Sequence, residues 1–197
     1  MTNSNAKNAI RNAFIELYKK WSIDKITIDM ICKKAYLSRS TFYKNYKNID
    51  ALVKEIENEV REDMTRINED YNYQSIFDVN ENYPSPNFME MFRCVLKHKD
   101  FFMGAYSDHG NPSFYSRSKK MITQFLKEHI LMHEPDVEHI DLICDICSDY
   151  IMNCCKMIIK YEKELSPKGL SIEVKKYIID FVNHEELYID GVIKNKD

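Results

Sequence analysis

The sequence predicts an all-α protein of about nine helices, and three observations point there. Glycine and proline are scarce, four and five in 197 residues, and neither occurs before Pro84. A chain so poor in helix breakers leaves helices little reason to stop. Apolar residues recur at spacings of three and four along most of the chain, the period of a helix with one buried stripe. One late stretch also keeps a strict 4-3-4-3-4-3-4 spacing, the signature of a helix that packs along another helix. With 44% hydrophobic and 30% charged residues, the chain has material for one large domain or two small ones. It contains no apolar run long enough to span a membrane, and its first residues lack an apolar signal core, so a cytoplasmic location with no membrane partner is expected.

The first helix is expected over residues 5–21. Ile10, Phe14, Leu17 and Trp21 form one stripe, with Lys7, Arg11 and Lys19 outside it and the single Trp packed inward. Residues 22–26 leave room only for a tight corner. Two short helical patterns follow. Thr27 caps the first, in which Ile28, Ile31, Cys32 and Ala35 turn inward while Lys33 and Lys34 stay out. After the corner at Tyr36-Leu37-Ser38, Ser38 caps the second, over residues 39–46. That helix buries Phe42 and Tyr46 and presents Arg39, Ser40, Thr41, Tyr43 and Lys44 outward. This is the layout of a helix-turn-helix, in which one helix braces another whose free side fits a DNA major groove.

The run A-Y-L-S-R-S-T-F-Y-K-N-Y-K-N, residues 35–48, resembles the recognition segment of tetracycline-repressor (TetR) family regulators, which reads roughly A-G-V-S-x-x-T-F-Y-x-H-F. The Ser-x-x-Thr-Phe-Tyr core is present, whereas Tyr36 replaces the usual turn Gly and Asn45 the usual His. If position 36 takes a positive φ, Tyr there costs about 1 kcal/mol relative to Gly. The resemblance implies a DNA-binding domain over residues 1–47 and a C-terminal ligand-binding and dimerisation domain over 48–197. It also implies that Thr27, Tyr43 and Lys47 meet phosphates, with Arg39, Ser40, Thr41 and Lys44 as further base or phosphate contacts. A homodimer would set two recognition helices about 34–36 Å apart on a palindromic double-stranded operator.

Beyond the recognition helix, Asn48 caps a fourth helix over 49–68 with the stripe Leu52, Ile56, Val60, Met64 and Ile67. Residues 70–87 lose periodicity, with a short turn expected at 75–79. Helix five starts at Phe88 with Met91, Phe92, Val95 and Leu96. A short sixth helix carries Phe101, Phe102, Ala105 and Tyr106. Helix seven, over 112–132, turns Tyr115, Ile122, Phe125, Leu126 and His129 inward. Helix eight, over 137–164, bears the regular seam Ile140, Cys144, Cys147, Ile151, Cys154, Ile158, Tyr161 and Leu165, and helix nine, over 171–183, shows Val174, Tyr177, Ile178 and Phe181. Residues after 186 read as a tail. The family resemblance makes helices eight and nine a dimer bundle through Cys144, Cys147, Ile151, Cys154, Ile158, Val174, Tyr177 and Phe181. A core helix within one chain is the plain alternative. The resemblance also implies a pocket for a small apolar effector, for which Phe88, Phe92, Phe102, Met103, Tyr106, Phe125 and Tyr150 are the candidate lining. Residue by residue, ordinary core packing is the stronger reading of these seven.

Charge supports the same orientation. Residues 1–47 hold ten Lys/Arg against three Asp/Glu, and the remainder eighteen against twenty-eight, which together give the net charge of −3. A basic end on an acidic body suits a protein that offers one end to a polyanion. The six cysteines, at 32, 94, 144, 147, 154 and 155, read as buried thiols, since the one Cys-x-x-Cys lies in a helical pattern with no second pair. His129 and His133 share a helical face without a third ligand in view, so no metal or other cofactor is expected. No phosphate-binding loop, dinucleotide fingerprint or nucleophile elbow occurs, and no enzymatic role is expected. The reading is a sequence-specific transcriptional regulator, a repressor released by a small effector. The alternatives are a TetR-like co-activator controlled by a protein partner, as in regulators of dihydroxyacetone-kinase operons, or a helical protein-interaction module.

Overall fold

The computed structural model describes residues 3–71, 76, 77, 80 and 82–184, and all regular structure among them is helical. The elements run α1 (Asn3–Tyr18), a 3-10 turn (Ile23–Lys25), α2 (Ile28–Ala35), α3 (Arg39–Asn45), α4 (Ile49–Tyr71), α5 (Pro86–Lys97), α6 (Lys99–Ala105), α7 (Pro112–His133), α8 (Ile140–Lys160) and α9 (Pro167–Asn183). The expected tail after 186 lies outside the described residues, as do three of the five positions of the expected turn at 75–79.

The chain divides into two compact units. The first comprises Met1–Thr65 with Lys97–Ser116, the second Arg66–Leu96 with Arg117–Asp197. In the first unit α1 packs on α2, α3 and α6, burying Ile10, Ala13, Phe14 and Tyr18. Here the expected stripe is corrected at its end. The helix stops at Tyr18, the chain turns through Lys19 and Lys20, and Trp21 emerges 47% exposed. A spacing of eleven residues points inward only while the helix lasts, so Tyr18 takes the buried place. Its hydroxyl accepts a hydrogen bond from the Asn111 backbone N–H at 2.9 Å, and its ring stacks on Phe14. Gly104 on α6 admits that ring, since a Cβ there would lie 2.7 Å from Tyr18 Cδ1 and 2.9 Å from the Tyr18 carbonyl oxygen.

The second unit is built on α5, the body of α7, α8 and α9. Pro86 and Pro167 each stand at the start of a helix, where a missing N–H costs nothing. Ser166 caps α9 by accepting from the Gly169 N–H at 3.0 Å, which moves the start of the last helix four residues ahead of expectation. On α7, Ile122, Phe125, Leu126 and His129 are buried as their spacing predicts, while Phe114 takes the inward place expected of Tyr115. Helix α8 starts at Ile140 and ends at Lys160, so the last two seam positions, Tyr161 and Leu165, fall beyond it.

Lys175 is the feature that periodicity misses. Its side chain is 0% exposed, and its ammonium donates to the carbonyl oxygens of Asn80, at 2.7 Å, and Tyr83. A buried cation is stable only where oxygens replace its water. Here they fasten the segment that leads into α5 onto α9. Lys175→Met should keep the buried stem but leave those carbonyls without this donor, lowering unfolding stability by about 1–3 kcal/mol. An unchanged urea midpoint would show that the clamp does not hold the unit together.

Candidate nucleic-acid interface

Three backbone devices fix the helix-turn-helix. The Thr27 hydroxyl accepts from the Met30 N–H at 3.2 Å and starts α2. Tyr36 ends it in the left-handed conformation, φ 55° and ψ 41°, and the Leu37 N–H returns to the Cys32 carbonyl at 3.0 Å. The turn thus keeps the shape that glycine serves best, with Tyr in place of Gly at a cost of about 1 kcal/mol. The Tyr36 ring is 94% exposed. Ser38 then starts α3 by accepting from the Thr41 N–H at 3.2 Å. Its hydroxyl also lies 2.8 Å from that of Ser40 and 2.9 Å from that of Thr41, which ties three hydroxyls into one cluster.

The inner side of α3 is anchored by Phe42, 0% exposed, and Tyr46, whose rings are 6.0 Å apart. Asn45, standing where the resembling family has His, donates to the Thr41 carbonyl at 2.8 Å. From the far end, Tyr46 donates its hydroxyl to Glu55 of α4 at 2.8 Å, while Lys7 and Arg11 of α1 pair with the same carboxylate at 2.7 and 3.2 Å. Arg11 also pairs with Glu59. Burial raises the Tyr46 pKa, and the Glu55 carboxylate reinforces the shift. Burial pushes Glu55 up as well, but the hydrogen bonds from Lys7 and Tyr46 and the nearby cations outweigh it and hold the group below its ordinary value.

Outward, Arg39, Ser40, Tyr43 and Lys44 are exposed, with Thr41 half-buried. Lys47 stands exposed beside the start of α4, where the Asn48 side chain caps the helix by accepting from Ala51 N–H at 2.9 Å. Lys33 and Lys34 are exposed at the end of α2. These side chains make a cationic, hydroxyl-bearing surface, the kind that contacts phosphate and base edges. Thr27 is exposed too, with its hydroxyl already serving as the α2 cap. Sequence reasoning missed one member of this surface. Asp29, on α2, receives the Nε–H and an Nη2–H of Arg39, and that bond draws the Asp29 pKa down.

The other candidate residues fall elsewhere. Phe88, Phe92, Phe125 and Tyr150 belong to the second unit, and Phe102, Met103 and Tyr106 to the first. Phe88 meets Phe125 edge-on at 6.1 Å, Tyr150 lies 4.2 Å from Tyr177, and Met103 is 48% exposed. The α8 seam turns inward. Cys144, Cys147, Ile151, Cys154 and Ile158 are at most 1% exposed within a single chain, as is Val174. Side chains so buried have no surface left for a second subunit, which corrects their assignment to a dimer interface. Phe181 is also buried, and Tyr177 retains part of its surface. All six cysteines are free and buried, with burial pushing the Cys144 thiol up to about 11 and Cys147 to about 12. His129 donates its Nδ1–H to the Phe125 carbonyl, 2.8 Å away, and His133 stacks on Phe77. No helix among the described residues is long and apolar enough to cross a membrane.

Residues 82–180 match a TetR-type family model described as the transcriptional regulator C-terminal region. Similar folds occur in a TetR transcriptional regulator from Streptococcus agalactiae 2603V, with a TM-score of 0.59 at 18% identity over 89% of this chain and 94% of that one. The dihydroxyacetone kinase operon activator DhaS gives 0.53 at 16%, over 90% and 96%. GusR of Salmonella enterica gives 0.55 at 12%, over 90% and 95%. A sequence comparison with curated proteins returns no match.

The Glu55 network generates a pH-dependent expectation. A carboxyl group held below its ordinary pKa contributes stability that is present above that ordinary value, about 4.3, and lost as pH falls through the folded value. The melting temperature of the wild type should therefore exceed that of Glu55→Gln near neutral pH, with the gap closing below about pH 5. A gap that is constant from pH 7 to pH 3 would contradict the assignment.

Proposed function

Since the chain belongs to the TetR family of transcriptional regulators, we propose that it binds DNA sequence-specifically as a homodimeric repressor released by a small-molecule effector. The family consists of regulators and not enzymes, and no catalytic role is assigned. The observation that carries the proposal is the outward face of α3. A short helix anchored by Phe42 and Tyr46 leaves Arg39, Ser40, Tyr43 and Lys44 exposed, with Lys47 beside them. In this reading residues 1–47 meet the operator and the remainder carries effector binding and dimerisation. Half-exposed apolar side chains along α8, among them Leu142, Ile146 and Met157, are the surface left for a second copy. The effector would be small and apolar, held among aromatics such as Phe88, Phe92 and Phe125, and it would act through a different affinity for the two spacings of the reading helices. The protein would work in the cytoplasm, where its operator lies.

A second reading, activation in place of repression, is favoured by the likeness to the operon activator DhaS; in it a protein partner would take the place of the small effector. Fragments of the source genome selected with the full chain separate the two. Overlap with a promoter core supports occlusion, whereas sites upstream of it support activation.

Two substitutions test the DNA-binding face by fluorescence anisotropy against a selected duplex and a scrambled one. Lys47→Ala should weaken both duplexes alike and reduce the slope of log K against log salt by about one per protomer contact. Arg39→Ala should instead shrink the gap between the duplexes, by about 1–3 kcal/mol if Arg39 forks onto a base. Unaltered DNA affinity in both variants would place the interface elsewhere. Binding to an acidic protein without preference among duplexes would support an interaction module instead.

A further inference from the structure

Arg39, the first residue of α3, is already engaged. Its Nε–H bonds to Oδ1 of Asp29 and its Nη2–H to Oδ2, a side-on fork that reaches from the first turn of α2 across to α3. Asp29 is the only acidic residue within α2 or α3, and it is set against this one arginine. The two side chains are 60% and 67% exposed, so their pairing contributes little to holding the fold together. Its consequence lies in geometry. A guanidinium carries five N–H donors, and the side-on fork uses the Nε–H and one of the two on Nη2. What remains is the outer edge, one N–H on Nη2 and two on Nη1, which includes a parallel pair spaced to meet O6 and N7 of guanine. Without a buttress, an arginine at an exposed helix start samples many rotamers and settles on the nearest phosphate. The carboxylate also places a negative charge on the face that meets DNA. That charge opposes phosphate contact at every sequence and so penalises indiscriminate binding.

We propose that Asp29 is a positioning residue that turns Arg39 into a reader of guanine and keeps it from serving as a general phosphate clamp. This rests on the DNA-binding function proposed above and adds to it the base that Arg39 selects. In the first turn of α2, Asp29 also has the plain role of an acid near a helix N-terminus. That role would alter melting temperature and leave base preference untouched, so base preference is what must be read.

The experiment uses the full chain and the duplex it selects from a random pool, with guanines replaced one at a time by 7-deazaguanine, which lacks the N7 acceptor. For the wild type, one replacement per half-site should weaken binding about tenfold, within the range for losing a bidentate base contact. In Asp29→Asn the same replacement should cost less than about twofold, as it should in Arg39→Ala, while affinity for scrambled DNA rises about threefold or more in Asp29→Asn. Asp29→Ser, which also lacks the carboxylate but suits a helix start, should behave alike and guards against a folding defect peculiar to one variant. Equal sensitivity to 7-deazaguanine in wild type and Asp29→Asn overturns the inference alone, as does a selected site with no sensitive guanine. A wild-type chain that selects no duplex overturns the DNA-binding function as well.

Discussion

A seven-residue helix cannot hold itself together in water, and everything proposed for this protein depends on holding one. Isolated helices need roughly twice that length or more to persist. In α3 the deficit is met from three sides. Ser38 satisfies an orphan N–H at the start, Phe42 buries completely in the middle, and Tyr46 closes the end. Tyr46 does more than pack, because its hydroxyl reaches Glu55, which Lys7 and Arg11 hold from α1. The short helix is thereby tied to the two longer helices on either side of it in sequence. With its inner side so fixed, its outer side is free to be polar.

The second unit solves a different problem with thiols and one cation. The regular seam of α8 is lined by small Cys and Ile side chains, of which Cys144, Cys147, Ile151, Cys154 and Ile158 are buried within the chain. A repeat of 3.5 residues says that a helix has a long helical partner, but not whether that partner is in the same chain. Packing in the protomer answers this for Cys144, Cys147, Ile151, Cys154 and Ile158. Lys175 breaks the apolar rule inside the same unit and is tolerated because carbonyl oxygens from the segment before α5 surround its ammonium.

Much of this was legible in the sequence, for reasons that are local. Thr27, Ser38 and Asn48 announced three helix starts because capping depends only on a side chain and the N–H groups two or three residues ahead. Phe42 and Tyr46 announced the buried side of α3 through their i, i+4 spacing, and the turn at Tyr36 through its place in the motif. What stayed hidden depends on neighbours distant in sequence. Asp29 and Arg39 are ten residues apart across a turn, where no helical spacing rule connects them. Lys175 meets carbonyls some ninety positions earlier, and polarity alone would have placed it outside. Trp21 escapes its spacing for a simpler reason: α1 ends at Tyr18, three residues before it.

The most direct measurement is amide NMR of the full chain with and without its selected duplex. Shifts and exchange protection concentrated at residues 27–47, strongest over 38–44 and at Lys47, would be the signature of α3 lying in the groove. If the duplex binds while the amides of 38–44 keep their free positions and perturbations gather elsewhere, the exposed face of α3 is not what meets DNA.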